Sequence, residues 1–539
     1  MKSSAVLALM LVFAAMFGAV EVSRSTFEHL PHLEDEFAYL FQARIFQHGD
    51  TFIETPQPER PYWQPFLVNL NEKRFSKYPP GWSLLLAIGT GMNLPWVVNV
   101  WFAGLIVALV YRFGRELYDR TAGITAAVLM TISPIALILN GSLMGHTSTL
   151  FFTTLFVYGL WRVERERRKP RLWMWAALSG ASLGMLITSR PLVAVAVAVP
   201  FIIYCGLRLL LTRRELFLPA LKPLIVLILF TLLYAAPLPA YNYVVSGNAT
   251  TNLYTYIWSY DQVGFGPGHG RLGGATVFNL KQSGIKIHMK TFAGHTVEKG
   301  WETVRRDGKC YFRDLFGWTV QPDNPPVLID AFNDCLVDRR GLSWILLPFA
   351  LAFMIRRNWS ILLLTMAASV ILIYIAYWVG TGIYSARYYF EATSALALVS
   401  GAGLSGLAQQ ADKMHMRYAV YGLFAIAVLM SLVGYTPKRL EPLQGYGRIT
   451  RELIDEVERL RQSPDIPVLV IASGEHHWRD VAPLMSLTDP YTRNDVIALR
   501  DADQQYADLL MQRYPDRQVI FLIDHRLFPI NTPVRDPSP

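Results

Sequence analysis

Charged side chains are scarce in this chain of 539 residues. Asp, Glu, Lys and Arg make up 17% of it, whereas a soluble domain carries roughly a quarter. Hydrophobic residues account for 52%, and the mean hydropathy is +0.27. The shortage of charge argues against a water-soluble globular fold, and the hydrophobic content excludes a disordered chain. The composition therefore predicts a protein that crosses a membrane several times.

Long apolar stretches mark the predicted membrane spans. A helix needs about 20 apolar residues to cross the hydrocarbon layer. Eleven stretches meet or approach that length, of which 341–355 and 392–408 are short and fit least well: 4–20, 94–111, 122–140, 147–161, 172–188, 191–211, 223–241, 341–355, 361–379, 392–408 and 418–435. The segment 80–92 is apolar but too short to cross, so we predict a re-entrant or interfacial helix there.

The net charge of +9 is explained by topology. With the N-terminus inside, the predicted cytoplasmic loops carry 18 Lys and Arg but only six Asp and Glu. This is the positive-inside bias of a membrane protein and does not indicate a nucleic-acid binder. We interpret the first apolar run as a retained span; the alternative is a cleaved secretory signal. The C-terminal region then lies on the extracytoplasmic side.

Three segments are too long and polar to be simple connectors: 21–79, 242–340 and 436–539. We expect function to reside in such outer segments. The last one has a helical pattern over 449–462, strand-like runs at 468–472, 496–499 and 519–523, and a helix over 506–513. We therefore divide the chain into a membrane region (1–435) and a small α/β accessory domain (436–539). The predicted fold class is an all-α polytopic membrane protein with outer loops and this added domain.

Several functional features are missing. No internal repeat is visible, and the glycine-rich stretch 264–274 lacks the Gly-Lys-Ser/Thr ending of a Walker motif. That stretch is either a plain connector or a mobile loop over a substrate. The predicted spans hold almost no ionisable side chains, which pumps and coupled transporters place there. Polar residues gathered at one interface favour an enzyme that acts on a lipid headgroup.

An acidic pair follows the first span. Asp35 and Glu36 begin an amphipathic helix that continues to Phe46. A carboxylate at the membrane surface is placed to act as a general base toward a hydroxyl group. The alternative is structural, because acidic residues in the first turn of a helix interact favourably with its dipole.

Two arginines lie at the predicted outer ends of spans. Arg190 stands between two spans, and Arg387 is flanked by three tyrosines in the run from Tyr384 to Tyr389. Guanidinium groups bind phosphate in a bidentate manner; the alternative is that both only reach the lipid headgroups. His146 lies in a short outer turn and is a candidate metal ligand, with Asp35 or Glu36 as the oxygen partner.

The three cysteines divide by location. Cys205 falls in a span, where we expect it to pack. Cys310 and Cys335 share the second outer segment, where an oxidising environment permits a disulfide. We predict that bridge; the alternative is two unpaired thiols.

These features resemble the GT-C class of integral-membrane glycosyltransferases, which includes the protein O-mannosyltransferases and the lipid A aminoarabinose transferase (glycosyltransferase family 39-like). The resemblance covers about residues 1–435. It rests on short motifs in the same order: Asp35-Glu36 with Ala38-Tyr39, Lys77-Tyr78-Pro79-Pro80-Gly81-Trp82, Arg120–Gly123, Thr188-Ser189-Arg190-Pro191 and Arg387-Tyr388-Tyr389. One departure is that His146 stands where some relatives have an acid.

The resemblance implies an enzyme of the bacterial inner membrane that moves a hexose or pentose from a polyprenyl-phosphate carrier, with inversion, to a glycolipid, polysaccharide or protein. Asp35 or Glu36 would be the general base, and Arg190 and Arg387 would hold the carrier phosphate. Further substrate-binding residues implied are Tyr384, Tyr388, Tyr39 and Lys77. No cofactor is certain, and a divalent metal at His146 stays open. The alternatives are a lipid-linked-saccharide flippase and a non-catalytic membrane scaffold.

Overall fold

The computed structural model describes residues 2–166, 170–271, 294–320, 340–354, 358–474 and 476–530. Most of them are helical. The helices are α1 (Lys2–Ser25), α2 (Glu34–Gln47), α3 (Pro80–Gly91), α4 (Val97–Leu117), α5 (Arg120–Ile132), α6 (Pro134–Gly141), α7 (His146–Arg165), α8 (Arg171–Ser189), α9 (Pro191–Leu210), α10 (Arg214–Ala235), α11 (Pro237–Ser246), α12 (Val297–Asp314), α13 (Leu347–Met354), α14 (Asn358–Leu372), α15 (Thr393–Asp412), α16 (Arg417–Leu429), α17 (Thr436–Leu440), α18 (Glu452–Leu460), α19 (Trp478–Met485) and α20 (Ala507–Arg513).

Strands are short and lie outside the apolar helices. They are β1 (Ile53–Glu54), β2 (Leu67–Leu70), β3 (Lys73–Ser76), β4 (Thr319–Val320), β5 (Arg340–Gly341), β6 (Val468–Ser473), β7 (Val496–Asp501), β8 (Gln518–Ile523) and β9 (Arg526–Pro529). The first sheet is antiparallel in the order β1-β3-β2, and β4 pairs with β5.

Within the described part of the chain, eight helical segments are long and apolar enough to cross a membrane, and α5 with α6 forms a ninth if that pair, bent by 57°, is one span. The polytopic helical fold is confirmed, although the count is below the predicted eleven. The predicted span 147–161 lies in α7, a 20-residue helix whose serines and threonines lower its hydropathy. The predicted span 341–355 contains α13, which has only eight residues.

Small residues allow the central helices to pack closely. Helix α15 is rich in Ala, Gly and Ser and is buried along nearly its whole length. A Cβ atom built on Gly401 of α15 would lie 2.4 Å from the carbonyl oxygen of Ala122 on α5. Only glycine fits such a contact between helix backbones, which is a common way to join helices inside a membrane.

The C-terminal domain forms one four-stranded sheet in the order β7-β6-β8-β9. Strand β6 is parallel to β7 and β8, and β9 is antiparallel to β8. Alternate residues of β6 enter separate cores on the two faces of the sheet, so the strand reads as a continuous apolar run. The predicted helices and strands of this domain are all present; α19 and β9 are additional.

This domain packs directly on α2. Leu30 and Phe37 belong to the same core as the residues of β6, α18 and α19. The guanidinium group of Arg44 donates hydrogen bonds to the backbone carbonyls of Ser486 (2.8 Å) and Thr488 (3.0 Å). The segment that carries the acidic pair is therefore held by the C-terminal domain.

Candidate active site

A cavity of about 540 Å³ opens beside the N-terminus of α2. Its walls come from seven parts of the chain: the start of α2, the residue before β2, the turn after β3, the start of α7, the α8–α9 junction, the segment 252–263 and the segment 374–388. The lining residues are Glu34, Asp35, Tyr39, Phe66, Lys77, Tyr78, His146, Ser189, Arg190, Pro191, Leu192, Val193, Asn252, Tyr254, Trp258, Asp261, Val263, Tyr374, Tyr377, Trp378, Val379, Arg387 and Tyr388.

Asp35 projects into this cavity from the first turn of α2. The hydroxyl of Tyr78 donates a hydrogen bond of 2.6 Å to its Oδ1. Its Oδ2 lies 3.6 Å from Nη2 of Arg387. The side chain keeps 18% of its surface exposed, so the carboxylate is oriented by two neighbours and still accessible from the cavity.

Glu36 is completely buried and points away from the cavity. Its carboxyl group accepts hydrogen bonds from the backbone N–H groups of His32, Leu33 and Leu143 and from the hydroxyl of Tyr384. Burial raises the pKa of Glu36 to about 7, and these hydrogen bonds oppose the rise. Glu36 thus caps α2, whose N-cap residue is a leucine without a side-chain acceptor, and ties it to the turn before α7.

Arg387 begins a short 3-10 helix, Arg387–Ala392, that leads into α15. Its Nε atom is buried and has no hydrogen-bond partner in the described part of the protein. Nη1 makes a long contact of 3.5 Å with the carbonyl of Ile383. Because the pair with Asp35 is also long, this guanidinium group retains N–H donors that an anionic ligand can use.

Arg190 separates α8 from α9. Its backbone is extended (φ −144°, ψ 80°), because the proline that follows it disfavours helical geometry at the preceding residue. Nη1 is 2.6 Å from Oε1 of buried Glu391, and Nη2 is 3.0 Å from the hydroxyl of Tyr374. Glu391 also accepts a hydrogen bond from Thr149. These contacts fix the arginine in place.

Lys77 is buried inside an aromatic cage. Its Nζ is 3.7 Å from the ring centroid of Phe66 and 4.7 Å from that of Trp258, and 3.8 Å from Oδ2 of Asp261. Burial lowers the pKa of Lys77, and Asp261 opposes that change. A charged ammonium group is well placed over aromatic faces.

Asp261 was not among the candidate site residues identified from the sequence. Its other oxygen accepts hydrogen bonds from the hydroxyl of Tyr377 (2.9 Å) and the indole of Trp378 (3.0 Å). It stands in Tyr260-Asp261-Gln262, a context without a motif, and its partners are about 116 and 184 residues away along the chain. The aromatic density of the segment 253–260 was the one available signal.

His146 belongs to no cluster of three possible metal ligands among the described residues, so a metal ion at this position stays a prediction. Both ring nitrogens are buried without a hydrogen-bond partner among the described residues, so the donor atoms are available. However, the one cluster of three His, Cys, Asp or Glu ligands in the described chain is His476, Asp480 and His525 in the C-terminal domain. Glu36 is already occupied by four donors, and cationic Arg190 and Arg387 line the same cavity.

The structure brings together seven of the residues singled out from the sequence and leaves two outside the cavity. Asp35, Tyr39, Lys77, His146, Arg190, Arg387 and Tyr388 all line it. Glu36 and Tyr384 do not, because they hydrogen-bond to each other in the packed core. Cys310 lies on α12, whereas Cys335 falls outside the described residues, so the disulfide stays a prediction.

The cavity is electrostatically balanced. Three cations (Lys77, Arg190 and Arg387) face three carboxylates (Glu34, Asp35 and Asp261), and tyrosines and tryptophans fill the space between them. A phosphate-bearing ligand would find cationic donors in this cavity and, beside them, a carboxylate able to accept a proton.

Part of the chain matches a known family. Residues 81–254 fit the family model described as dolichyl-phosphate-mannose-protein mannosyltransferase. No curated protein matches the chain.

Two solved structures of one protein share its fold, and a third structure aligns less closely. ArnT from Cupriavidus metallidurans bound to undecaprenyl phosphate aligns with a TM-score of 0.54 at 10% identity, over 96% of this chain and 93% of that chain. The apo state of that protein gives 0.53 at 11% identity, over 97% and 93%. The oligosaccharyltransferase AglB from Archaeoglobus fulgidus, in complex with an inhibitory peptide and a dolichol-phosphate, gives 0.47 at 14% identity, over 95% and 69%.

The matched segment and the shared fold support the resemblance of this multi-pass membrane protein to the GT-C-type glycosyltransferases. The matched residues, 81–254, relate it to the protein mannosyltransferases. The resemblance drawn from the sequence is confirmed at this level.

Proposed function

We propose that this protein transfers a sugar from a polyprenyl-phosphate carrier to an acceptor hydroxyl group at the extracytoplasmic face of a bacterial inner membrane. The observation that carries the proposal is the single cavity in which an accessible carboxylate, Asp35, lies beside an arginine with unused donors, Arg387. The structural neighbour ArnT, bound to undecaprenyl phosphate, supports the choice of carrier.

In this proposal Asp35 is the general base. Its carboxylate takes the proton of the acceptor hydroxyl while the acceptor oxygen attacks the anomeric carbon. The bond from that carbon to the phosphate oxygen breaks, and polyprenyl phosphate leaves with the electron pair. Tyr78 holds the carboxylate in position through its 2.6 Å hydrogen bond. A positioned base of this kind contributes roughly 10²–10⁴-fold to a rate.

The cations of the cavity stabilise the leaving phosphate. Arg387 offers its unpartnered Nε–H and its loosely held Nη groups. Arg190 is fixed by Glu391 and Tyr374, so its remaining N–H groups are already oriented before the substrate binds. Lys77 adds a third positive charge. Donors fixed in advance toward developing charge lower the barrier without reorganising during the reaction.

The test uses purified protein in nanodiscs with radiolabelled polyprenyl-phosphate sugars, with and without divalent metal. Wild type should release polyprenyl phosphate in an acceptor-dependent manner. Asp35→Asn should lose about 100-fold or more of this turnover and keep carrier binding. Asp455→Asn, the same substitution at an exposed position on α18, is the control and should retain turnover. Arg387→Ala should weaken binding of undecaprenyl phosphate at least tenfold.

Three results would contradict the proposal or one of its residue roles. Turnover that survives in Asp35→Asn would remove this residue as the base. Tight carrier binding with no turnover for any sugar or acceptor would favour transport of lipid-linked saccharides or a scaffold role. Unchanged carrier affinity in Arg387→Ala would make that arginine an interface anchor.

A further inference from the structure

A second, polar pocket lies between the segment 53–76 and the C-terminal domain. It has a volume of about 430 Å³, within the range of small-molecule sites. Three arginines line it: Arg60 and Arg74 from the first segment and Arg500 from the end of β7. We call it the arginine pocket. It exists only because the C-terminal domain packs against the first segment.

Two of these arginines form no ion pair within the described part of the chain. Arg74 is 2% exposed and donates a hydrogen bond to the backbone carbonyl of Tyr62. Arg500 is half-buried and donates to the carbonyl of His476 at 2.7 Å. Among the described residues, no carboxylate oxygen lies within 4.0 Å of either guanidinium group. A buried cation without a counter-ion is costly, so this geometry suits an anionic ligand.

The other charges around the pocket do not cancel the positive charge of Arg74 and Arg500. Arg60 pairs with Asp503. Glu59 is the one carboxylate among the lining residues, and it is engaged by the side-chain amide of Asn69 at 2.9 Å. Burial lowers the pKa of Arg74 to about 10 and also lowers that of Arg500, which Arg60 lowers further. The change at Arg74 reflects its burial, which the charge of Glu59 opposes, and the change at Arg500 reflects burial and the nearby Arg60, which Asp480 opposes.

The remaining wall is suited to a sugar. The indole of Trp63 is 44% exposed, and the guanidinium carbon of Arg500 lies 5.2 Å from its ring centroid. Gln64 and Asn69 add side-chain amides. An exposed aromatic face can cover the apolar side of a pyranose ring, and amides can hydrogen-bond to its hydroxyl groups.

The arginine pocket and the active-site cavity share one stretch of chain. Arg74 lies on β3, and Lys77, three residues later, lines the cavity. An extended chain advances about 3.3 Å per residue, so the two positions are on the order of 10 Å apart along the backbone. An extended saccharide held at Arg74 can therefore present a neighbouring unit to Asp35.

We propose that the arginine pocket binds an anionic sugar of the acceptor, through a carboxylate or phosphate group held by Arg74 and Arg500 with the ring against Trp63. This assignment rests on the proposed glycosyltransferase function. It gives the C-terminal domain a role in selecting the acceptor.

Binding is measured on the full-length protein in nanodiscs by calorimetry. The probes are trigalacturonic acid and glucose 6-phosphate, with galactotriose and glucose as uncharged controls. At least one anionic probe should bind tenfold or more tightly than its uncharged control. Arg500→Gln and Trp63→Ala should each weaken that binding at least tenfold. Arg526→Gln, the same charge change at an exposed position on β9, should leave it unchanged.

The probes also separate the two sources of negative charge: preference for trigalacturonic acid indicates a carboxylated sugar, and preference for glucose 6-phosphate a phosphorylated one. Equal affinity for charged and uncharged probes would overturn the proposal. So would an equal loss in Arg500→Gln and Arg526→Gln, which would indicate general charge attraction. Trp63→Ala keeps the test decisive if Arg500→Gln misfolds, because Trp63 is largely at the surface.

The transfer reaction separates failure of this inference from failure of the proposed function. With an acceptor that supports turnover, Arg500→Gln and Trp63→Ala should raise its KM about tenfold and leave carrier binding unchanged. Transfer with an unaltered acceptor KM overturns the pocket and leaves the proposed function intact. If an anionic probe binds in a way that requires Arg500 and Trp63 but no sugar transfer is detected, the proposed function is overturned and the arginine pocket stands.

Discussion

The pH dependence of folding stability tests the environment assigned to Glu36. Burial raises the pKa of this carboxyl group from about 4.5 to about 7. Between these values the folded protein holds a proton that the unfolded chain has released. The stabilisation is therefore fully present below pH 4.5 and is lost as the pH rises through 7. At 1.36 kcal/mol per pKa unit this amounts to about 3 kcal/mol.

A neighbouring histidine acts in the opposite direction. Burial lowers the pKa of His32 from 6.5 to about 4, so in this interval the unfolded state binds the extra proton. Its contribution to stability therefore increases as the pH rises from 4 to 6.5. In the wild-type protein the two effects partly cancel, so the pH dependence of its stability alone does not reveal the titration of Glu36.

Glu36→Gln removes the titration of residue 36 and keeps that of His32. The free energy of unfolding of wild type minus that of Glu36→Gln should fall by about 3 kcal/mol between pH 4.5 and 7.5. Glu36→Gln also loses the hydrogen bond from the backbone N–H of Leu143. This loss destabilises the variant relative to wild type by about 1–3 kcal/mol at every pH. Denaturant-induced unfolding in detergent micelles measures both. Parallel curves for the two proteins across this range would refute the raised pKa.

Two further substitutions test the packing and the cavity. Gly401→Ala should destabilise the protein by about 1–3 kcal/mol or more, because its Cβ would lie 2.4 Å from the Ala122 carbonyl oxygen. Gly422→Ala should be tolerated, because there is open space around that position. Equal melting temperatures for the two variants would contradict the close α5–α15 contact. Asp261→Ala should lower the free energy of unfolding by about 3–5 kcal/mol, because it leaves Lys77 buried without its carboxylate partner. A melting temperature within 1 °C of wild type would show that the aromatic cage alone stabilises the buried Lys77.

Much of the fold and part of the site could be predicted because their signals are local. Apolar stretches and their loop charges identify a polytopic membrane protein, and short continuous apolar runs in the C-terminal domain identify its strands. Asp35, Lys77, Arg190 and Arg387 stand out because each lies beside a break in apolar helix, marked by prolines or tyrosines. Such breaks are where a membrane protein can expose polar side chains to a cavity.

The rest depended on contacts between distant parts of the chain. Asp35 and Glu36 are adjacent and chemically alike, and only the direction of each side chain on α2 decides that one faces the cavity and the other caps the helix. The pairing of Lys77 with Asp261 and the closure of the arginine pocket by Arg500 each join segments more than 180 residues apart. Short-range patterns carry no record of such contacts, because loop closure and packing, rather than local propensity, select them. The sequence by itself determined that this is a multi-pass membrane protein and which polar residues lie beside its apolar stretches; the tertiary structure alone decided which of them share a cavity.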